Sequence, residues 1–136
     1  MEILHFLISS LVISCLDVKT HRIRRNHVYL ALVTTLPFIT VNAVIFGLCN
    51  LFIYLVLFFC SQNQLGKGDL RLSPLMGIYL SVNHEELSAV IRMNLFTWLT
   101  AGVVILILLL FKRITVRNRI AFAPFMFLGV ALETYI

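Results

Sequence analysis

Charged residues are scarce in this chain of 136 residues: they make up 12% of it, whereas soluble domains carry about 25%. The three cysteines form no Cys-x-x-Cys pair, so we expect neither a zinc site nor a disulfide framework. Hydrophobic residues, in contrast, reach 60% and include eleven Phe. So little polar surface excludes a disordered chain, a collagen, a disulfide-rich secreted module and a cytosolic enzyme. What remains is a polytopic membrane protein, and the length allows a single domain over residues 1–136.

The apolar residues fall into six segments, which predict six membrane helices. They are approximately Ile3–Leu16, Val28–Val41, Val44–Cys60, Leu72–Val82, Leu95–Phe111 and Ala121–Ile136. A helix that crosses the hydrocarbon core needs about 20 residues, so flanking polar residues must extend several of these segments or the bilayer must thin. Leu72–Val82 contains Pro74 and Gly77, which favour a short or broken helix. We expect a very tight turn around Asn42, between the second and third segments.

The positions of the charges support six helices. Ten of the eleven basic residues lie in the loops after the first, third and fifth segments: Lys19, Arg22, Arg24, Arg25, Lys67, Arg71, Lys112, Arg113, Arg117 and Arg119. The other side of the predicted bundle collects Glu2, Glu85, Glu86, Arg92 and Glu133. Basic loops stay in the cytoplasm, so the sequence predicts an all-α bundle with both termini outside it, in the periplasm.

Two acidic residues, Asp17 and Asp69, remain on the basic side, each where an apolar segment meets a basic loop. A carboxylate near the membrane is costly, and its retention often reflects a role. One interpretation is that each Asp only balances the charge of a nearby Lys or Arg. Because the two lie in matching positions on one face, we favour a catalytic pair.

The residues around Asp69 read Gly66-Lys67-Gly68-Asp69-Leu70-Arg71-Leu72. Two glycines beside an acid allow the backbone to take unusual conformations and a second chain to come close. A protease that cleaves a helical substrate needs such access, because the amide must become extended before it is attacked. We therefore expect Gly66 and Gly68 to provide substrate access. Lys67 and Arg71 are candidate contacts to the pair or to an acidic substrate residue.

This string resembles the Gly-x-Gly-Asp-x-Lys-Leu motif of type IV prepilin peptidases, with Arg71 in place of Lys. Asp17 followed six residues later by Ile23 is similar to the first aspartate motif of that family, although Arg24 and Arg25 stand where Pro-Asn or Pro-Asp is common. The stretch 120–125, Ile-Ala-Phe-Ala-Pro-Phe, is similar to its C-terminal Phe-Gly-Pro-Phe segment. The resemblance spans nearly the whole chain in the family's order.

The resemblance implies a multi-pass aspartic endopeptidase of the bacterial cytoplasmic (inner) membrane, with Asp17 and Asp69 as catalytic residues. Two carboxylates that share a site cannot both ionise cheaply, so one acts as general base on water while the other donates a proton to the scissile carbonyl. Neither a cofactor nor a metal is implied. The expected partners are the bilayer and a prepilin or pseudopilin substrate of a pilus or type II secretion system, with no nucleic acid. Longer family members carry paired Cys-x-x-Cys motifs associated with N-methylation; because this sequence has none, we expect no methyltransferase activity.

Two alternatives stay open. Presenilin-like intramembrane proteases also use Gly-x-Gly-Asp, but they are longer and pair it with a Tyr-Asp motif, whereas this chain has Leu16-Asp17. The chain could instead be a catalytically silent membrane assembly factor of a pilus or secretion machine. The sequence determines neither the substrate nor the oligomeric state.

Overall fold

The computed structural model describes residues 2–21, 23–61, 65–111 and 120–136, and within these residues every regular element is helical. Six α-helices follow one another: α1 (Glu2–Thr20), α2 (Arg25–Thr35), α3 (Val41–Cys60), α4 (Lys67–Leu80), α5 (Ser88–Leu110) and α6 (Ala123–Tyr135). A single 3₁₀ turn, Leu36–Phe38, extends α2. The predicted all-α class is therefore confirmed.

Three of the helices are long and apolar enough to cross a membrane: Ile3–Thr20 within α1, Val41–Cys60 in α3 and Ser88–Leu110 in α5. The other three, α2, α4 and α6, have 11, 14 and 13 residues. Each is shorter than the roughly 17 residues at the lower end of membrane-crossing helices.

Helix boundaries differ from the expected ones at two informative places. The turn before α3 lies at residues 39–40 rather than around Asn42, because the Thr40 side chain caps the helix by accepting a hydrogen bond from the Ala43 N–H. Asn42 is consequently inside the first turn of α3. The fourth helix begins at Lys67 instead of Leu72, so Gly68 and Asp69 are helical.

Consecutive helices run in opposite directions through the bundle. At one end, the start of α6 contacts the end of α1 through the Ala123 N–H and Asp17. At the other end, Thr34 near the end of α2 bonds to His5 near the start of α1. There too Arg92, near the start of α5, pairs with Glu133 near the end of α6. We call the end with Asp17 and Ala123 the aspartate end, and the end with His5, Arg92 and Glu133 the far end.

Helices approach each other closely at two glycines, Gly77 and Gly129. A Cβ on Gly77 of α4 would meet the backbone oxygen of Phe46 and would lie 2.8 Å from the Gly47 Cα of α3. A Cβ on Gly129 of α6 would meet the Thr97 hydroxyl of α5. Small residues permit this close helix packing. It is common in membranes, where the hydrophobic effect does not drive helices together.

Helix α4 forms the centre of the bundle. Half of its residues are buried, and Leu72, Leu75, Met76 and Leu80 have no exposed surface. Pro74 lies inside it and has no N–H to give to the carbonyl of Leu70; the Ser73 hydroxyl donates to that carbonyl instead, at 2.9 Å. The short, proline-containing segment is thus a continuous helix because its neighbours enclose it.

Candidate functional site

Asp17 lies in the last turn of α1 and is 4% exposed. Its Oδ2 accepts a hydrogen bond of 3.0 Å from the backbone N–H of Ala123, the first residue of α6. His21 follows the end of α1, and its backbone N–H donates to the Asp17 backbone carbonyl at 2.7 Å. The φ angle of His21 is 48°. That left-handed residue ends α1 and turns the chain back towards the bundle.

Asp69 lies in the first turn of α4, where Gly66 is the N-cap residue. Burial, and then the negative charge of Asp17, raise the pKa of its carboxyl from 3.8 to about 7. The two aspartates predicted from the sequence therefore interact electrostatically, although a whole helix hairpin separates them along the chain.

The basic residues that the structure describes around the aspartates form no ion pair with them. Lys19, Arg24, Arg25 and Lys67 are exposed, and Arg71 is half-buried. Within the described parts of the chain, the single ion pair within 4 Å joins Arg92 to Glu133 at the far end. Among those residues, neither Asp17 nor Asp69 is part of an ion pair. Arg22 and residues 112–119, which the sequence also assigns to this side, lie outside the described residues.

We call residues 17–23, 66–72 and 120–125 the first, second and third motifs. The space beside Gly66 and Gly68 of the second motif is filled by the protein itself. A Cβ on Gly66 would lie 2.6 Å from the Oδ2 of Asp69, and a Cβ on Gly68 would lie 2.8 Å from the Cβ of Ile23. Neither position accepts a larger residue without movement of these neighbours. Gly68 thus lets Ile23, the last residue of the first motif, pack directly on the second motif.

The third motif completes the site. Ala123 is fully buried and supplies the N–H that Asp17 accepts, while Pro124 follows it in the first turn of α6. The rings of Phe122 and Phe125 pack on each other with centroids 6.3 Å apart. Three motifs from the beginning, middle and end of the sequence consequently meet at the aspartate end.

Two polar features beside and behind the aspartates were not predicted from the sequence. Tyr54 of α3 is buried, at 1% exposed, and the charge of Asp69 acts on its hydroxyl. Behind it, Asn94 donates to Asn50 at 2.8 Å, and Asn50 donates to the Ser73 carbonyl at 2.7 Å. An Asn inside an apolar segment is expensive in a membrane, and this cost was the available indication in the sequence.

Comparison with models of protein families, with curated proteins and with solved structures finds no match to this chain.

Proposed function

We propose that this protein is a membrane-embedded aspartic endopeptidase that removes the leader peptide of type IV prepilins or pseudopilins at the cytoplasmic face of the bacterial inner membrane. The observation that carries the proposal is that Asp17 and Asp69 lie at the same end of the bundle, where burial and then the charge of Asp17 raise the pKa of the Asp69 carboxyl. The meeting of all three prepilin-peptidase-like motifs around this pair gives further support.

The proposed topology has six membrane crossings with both termini in the periplasm, because consecutive helices alternate in direction and basic loops at the aspartate end stay in the cytoplasm. If α1, α3 and α5 cross the membrane, all three run towards the aspartate end, and the chain must return between them. Helices α2, α4 and α6 make those returns. A helix of 14 residues rises about 21 Å, so the bilayer thins locally or polar flanks complete the crossing.

The site suits general acid–base hydrolysis of an amide. Asp69, whose pKa is about 7, is available as the protonated partner that donates to the scissile carbonyl oxygen. Asp17 takes a proton from the attacking water as the water oxygen bonds to the carbonyl carbon. The tetrahedral intermediate then collapses: Asp17 gives its proton to the amide nitrogen as the C–N bond breaks, and Asp69 recovers a proton from the hydroxyl that becomes part of the new carboxyl group.

Co-expression with a candidate prepilin, followed by measurement of the mass of its N-terminus, tests the proposal. We expect leader removal by the wild-type chain and none by Asp17→Asn or Asp69→Asn, since Asn keeps the shape of Asp but cannot cycle a proton. The double variant should be hardly worse than either single variant, because residues that act as one unit are not additive.

Glu85→Gln and Glu86→Gln are the matched controls. Both residues are exposed in the loop between α4 and α5, at the far end, and should leave processing unchanged. Near-normal processing by Asp17→Asn would reject the aspartic-protease mechanism and favour the alternative, a catalytically silent membrane assembly factor of a pilus or type II secretion system.

A further inference from the structure

A chain of polar side chains joins three helices at the far end of the bundle. The Tyr79 hydroxyl of α4 lies 2.7 Å from the Ser9 hydroxyl and 2.8 Å from Nδ1 of His5, both on α1. The other ring nitrogen of His5, Nε2, lies 2.6 Å from the Thr34 hydroxyl of α2. Ser9 and His5 are one turn apart, so both face the same tyrosine.

Tyr79 has a special place in this chain because it connects the two helices that carry the aspartates. Its hydroxyl is within hydrogen-bond distance of both Ser9 and His5 and so links α4 to α1. Its ring also packs edge-on against Phe6 of α1, with centroids 5.1 Å apart. Further hydrogen bonds of α1 reach α6 at Ala123 and α2 at Thr34.

Tyr79 is buried, and two cavities border it. A cavity of about 150 Å³ reaches its ring and His5, and a smaller one of about 30 Å³ lies on the side of Phe6 and Tyr135. A side chain bordered by two cavities has fewer van der Waals neighbours to fix it, so its hydrogen bonds contribute more to its position.

We propose that the Tyr79 hydroxyl is a positioning group that sets the separation of Asp17 and Asp69 from the opposite end of their helices. This inference rests on the proposed function for its catalytic consequence. The distances fit such a role: Ser9 lies about 12 Å along α1 from Asp17, and Tyr79 about 15 Å along α4 from Asp69. Rigid helices transmit a change in spacing or tilt over two to three turns.

Tyr79→Phe tests the proposal, because it removes the hydroxyl and keeps the ring contact with Phe6. Spin labels on Lys19→Cys and Lys67→Cys, exposed positions near the two aspartates, report the separation of α1 and α4 in a chain whose three native cysteines are replaced. We expect the distance distribution to broaden or shift in the variant. Ser9→Ala removes one of the two hydrogen bonds to Tyr79 and should shift the distribution in the same direction by less.

The pH dependence of prepilin cleavage is the second measurement. In the wild type, the rate of cleavage should decrease as pH rises through about 7, where Asp69 loses its proton. Greater separation from Asp17 weakens the repulsion that helps to raise this pKa. The decrease in cleavage rate should therefore occur at lower pH in Tyr79→Phe. Cleavage at its optimum should fall by about ten- to a hundredfold, as expected for small misplacements of catalytic groups.

Tyr135→Phe, which removes the hydroxyl of an exposed tyrosine at the same end, is the control and should change neither measurement. If Tyr79→Phe and Ser9→Ala both keep the wild-type distance distribution, the positioning role is rejected. A slower reaction with unchanged distances and an unchanged pH profile would reject it equally. If the wild-type chain cleaves no prepilin, the proposed function fails, and the spin-label distances still decide the role of Tyr79.

Discussion

Asp69 is a largely buried carboxyl group whose pKa of about 7 has a consequence for stability as well as for catalysis. Its folded-state pKa lies above the value of 3.8 that it has when unfolded. The folded state therefore holds its proton more tightly, and the associated stability is present below pH 3.8 and is lost as pH rises through about 7. A group that weakens the folded protein at neutral pH is typical of functional sites.

Asp69→Asn should accordingly stabilise the protein in a pH-dependent way. At pH 8 the variant avoids a buried charge beside Asp17, and we expect a gain on the order of 1 kcal/mol or more in unfolding free energy. Near pH 4 the wild-type carboxyl is protonated in the folded state, and the gain should nearly vanish. Melting temperatures in detergent at the two pH values measure the difference. The exposed Glu85→Gln provides the comparison, and an equal gain at both pH values would contradict a titrating Asp69.

Glycine has opposite roles at different positions in the helices. At Gly77, α3 and α4 approach so closely that an added Cβ would meet the Phe46 carbonyl oxygen and the Gly47 Cα, which are backbone atoms that cannot rotate away. At Gly102 in α5, nothing lies within 4 Å of an added Cβ. The same substitution should thus have opposite effects on the two helices.

Gly77→Ala should destabilise the protein by about 1–3 kcal/mol, the usual cost of overpacking a tight contact. Gly102→Ala should be neutral or stabilising by up to about 1 kcal/mol, since alanine is the better helix former. Thermal unfolding of both variants in the same detergent measures the two effects. Similar melting temperatures for the two variants would mean that α3 and α4 are not in contact at Gly77.

The helix that brings Asp69 to the site is stabilised mainly by its surroundings. Helix α4 is short and contains Pro74, but it is enclosed by other helices, and its Ser73 carbonyl accepts a hydrogen bond from Asn50. Polar groups are tolerated in such a helix because side chains from neighbouring helices satisfy them. Because neighbouring helices enclose α4, its charged and glycine-rich first turn remains part of an otherwise apolar bundle.

For the whole molecule, the alternating helix directions lead to a test of topology. Reporter fusions after Cys60 or Phe111 should give a cytoplasmic signal, and fusions after Val82 or Ile136 a periplasmic one. The reason is that basic loops remain in the cytoplasm, while in the proposed six-pass arrangement each short helix returns the chain to the opposite side. A cytoplasmic signal at Ile136 would contradict the six-pass arrangement and would place one aspartate on the wrong face.

The sequence alone determined the all-helical class, the number of helices and the two aspartates of the candidate site. Long apolar segments predict helices because an apolar environment requires each backbone group to be bonded within its own segment. Asp17 and Asp69 stood out because they are the acids on an otherwise basic side. These features depend on residues close together in the chain, which is why they could be predicted.

Tertiary structure decided how the helices meet. The hydrogen bond from Ala123 to Asp17, the contact of Ile23 with Gly68 and the link through Tyr79 all join residues that are far apart in sequence. They depend on the rotation of each helix about its axis, and apolar residues on nearly every face give little information about that rotation. The start of α4 at Lys67 also involves a contact with a distant residue, since Ile23, which precedes α2, packs on Gly68 in its first turn.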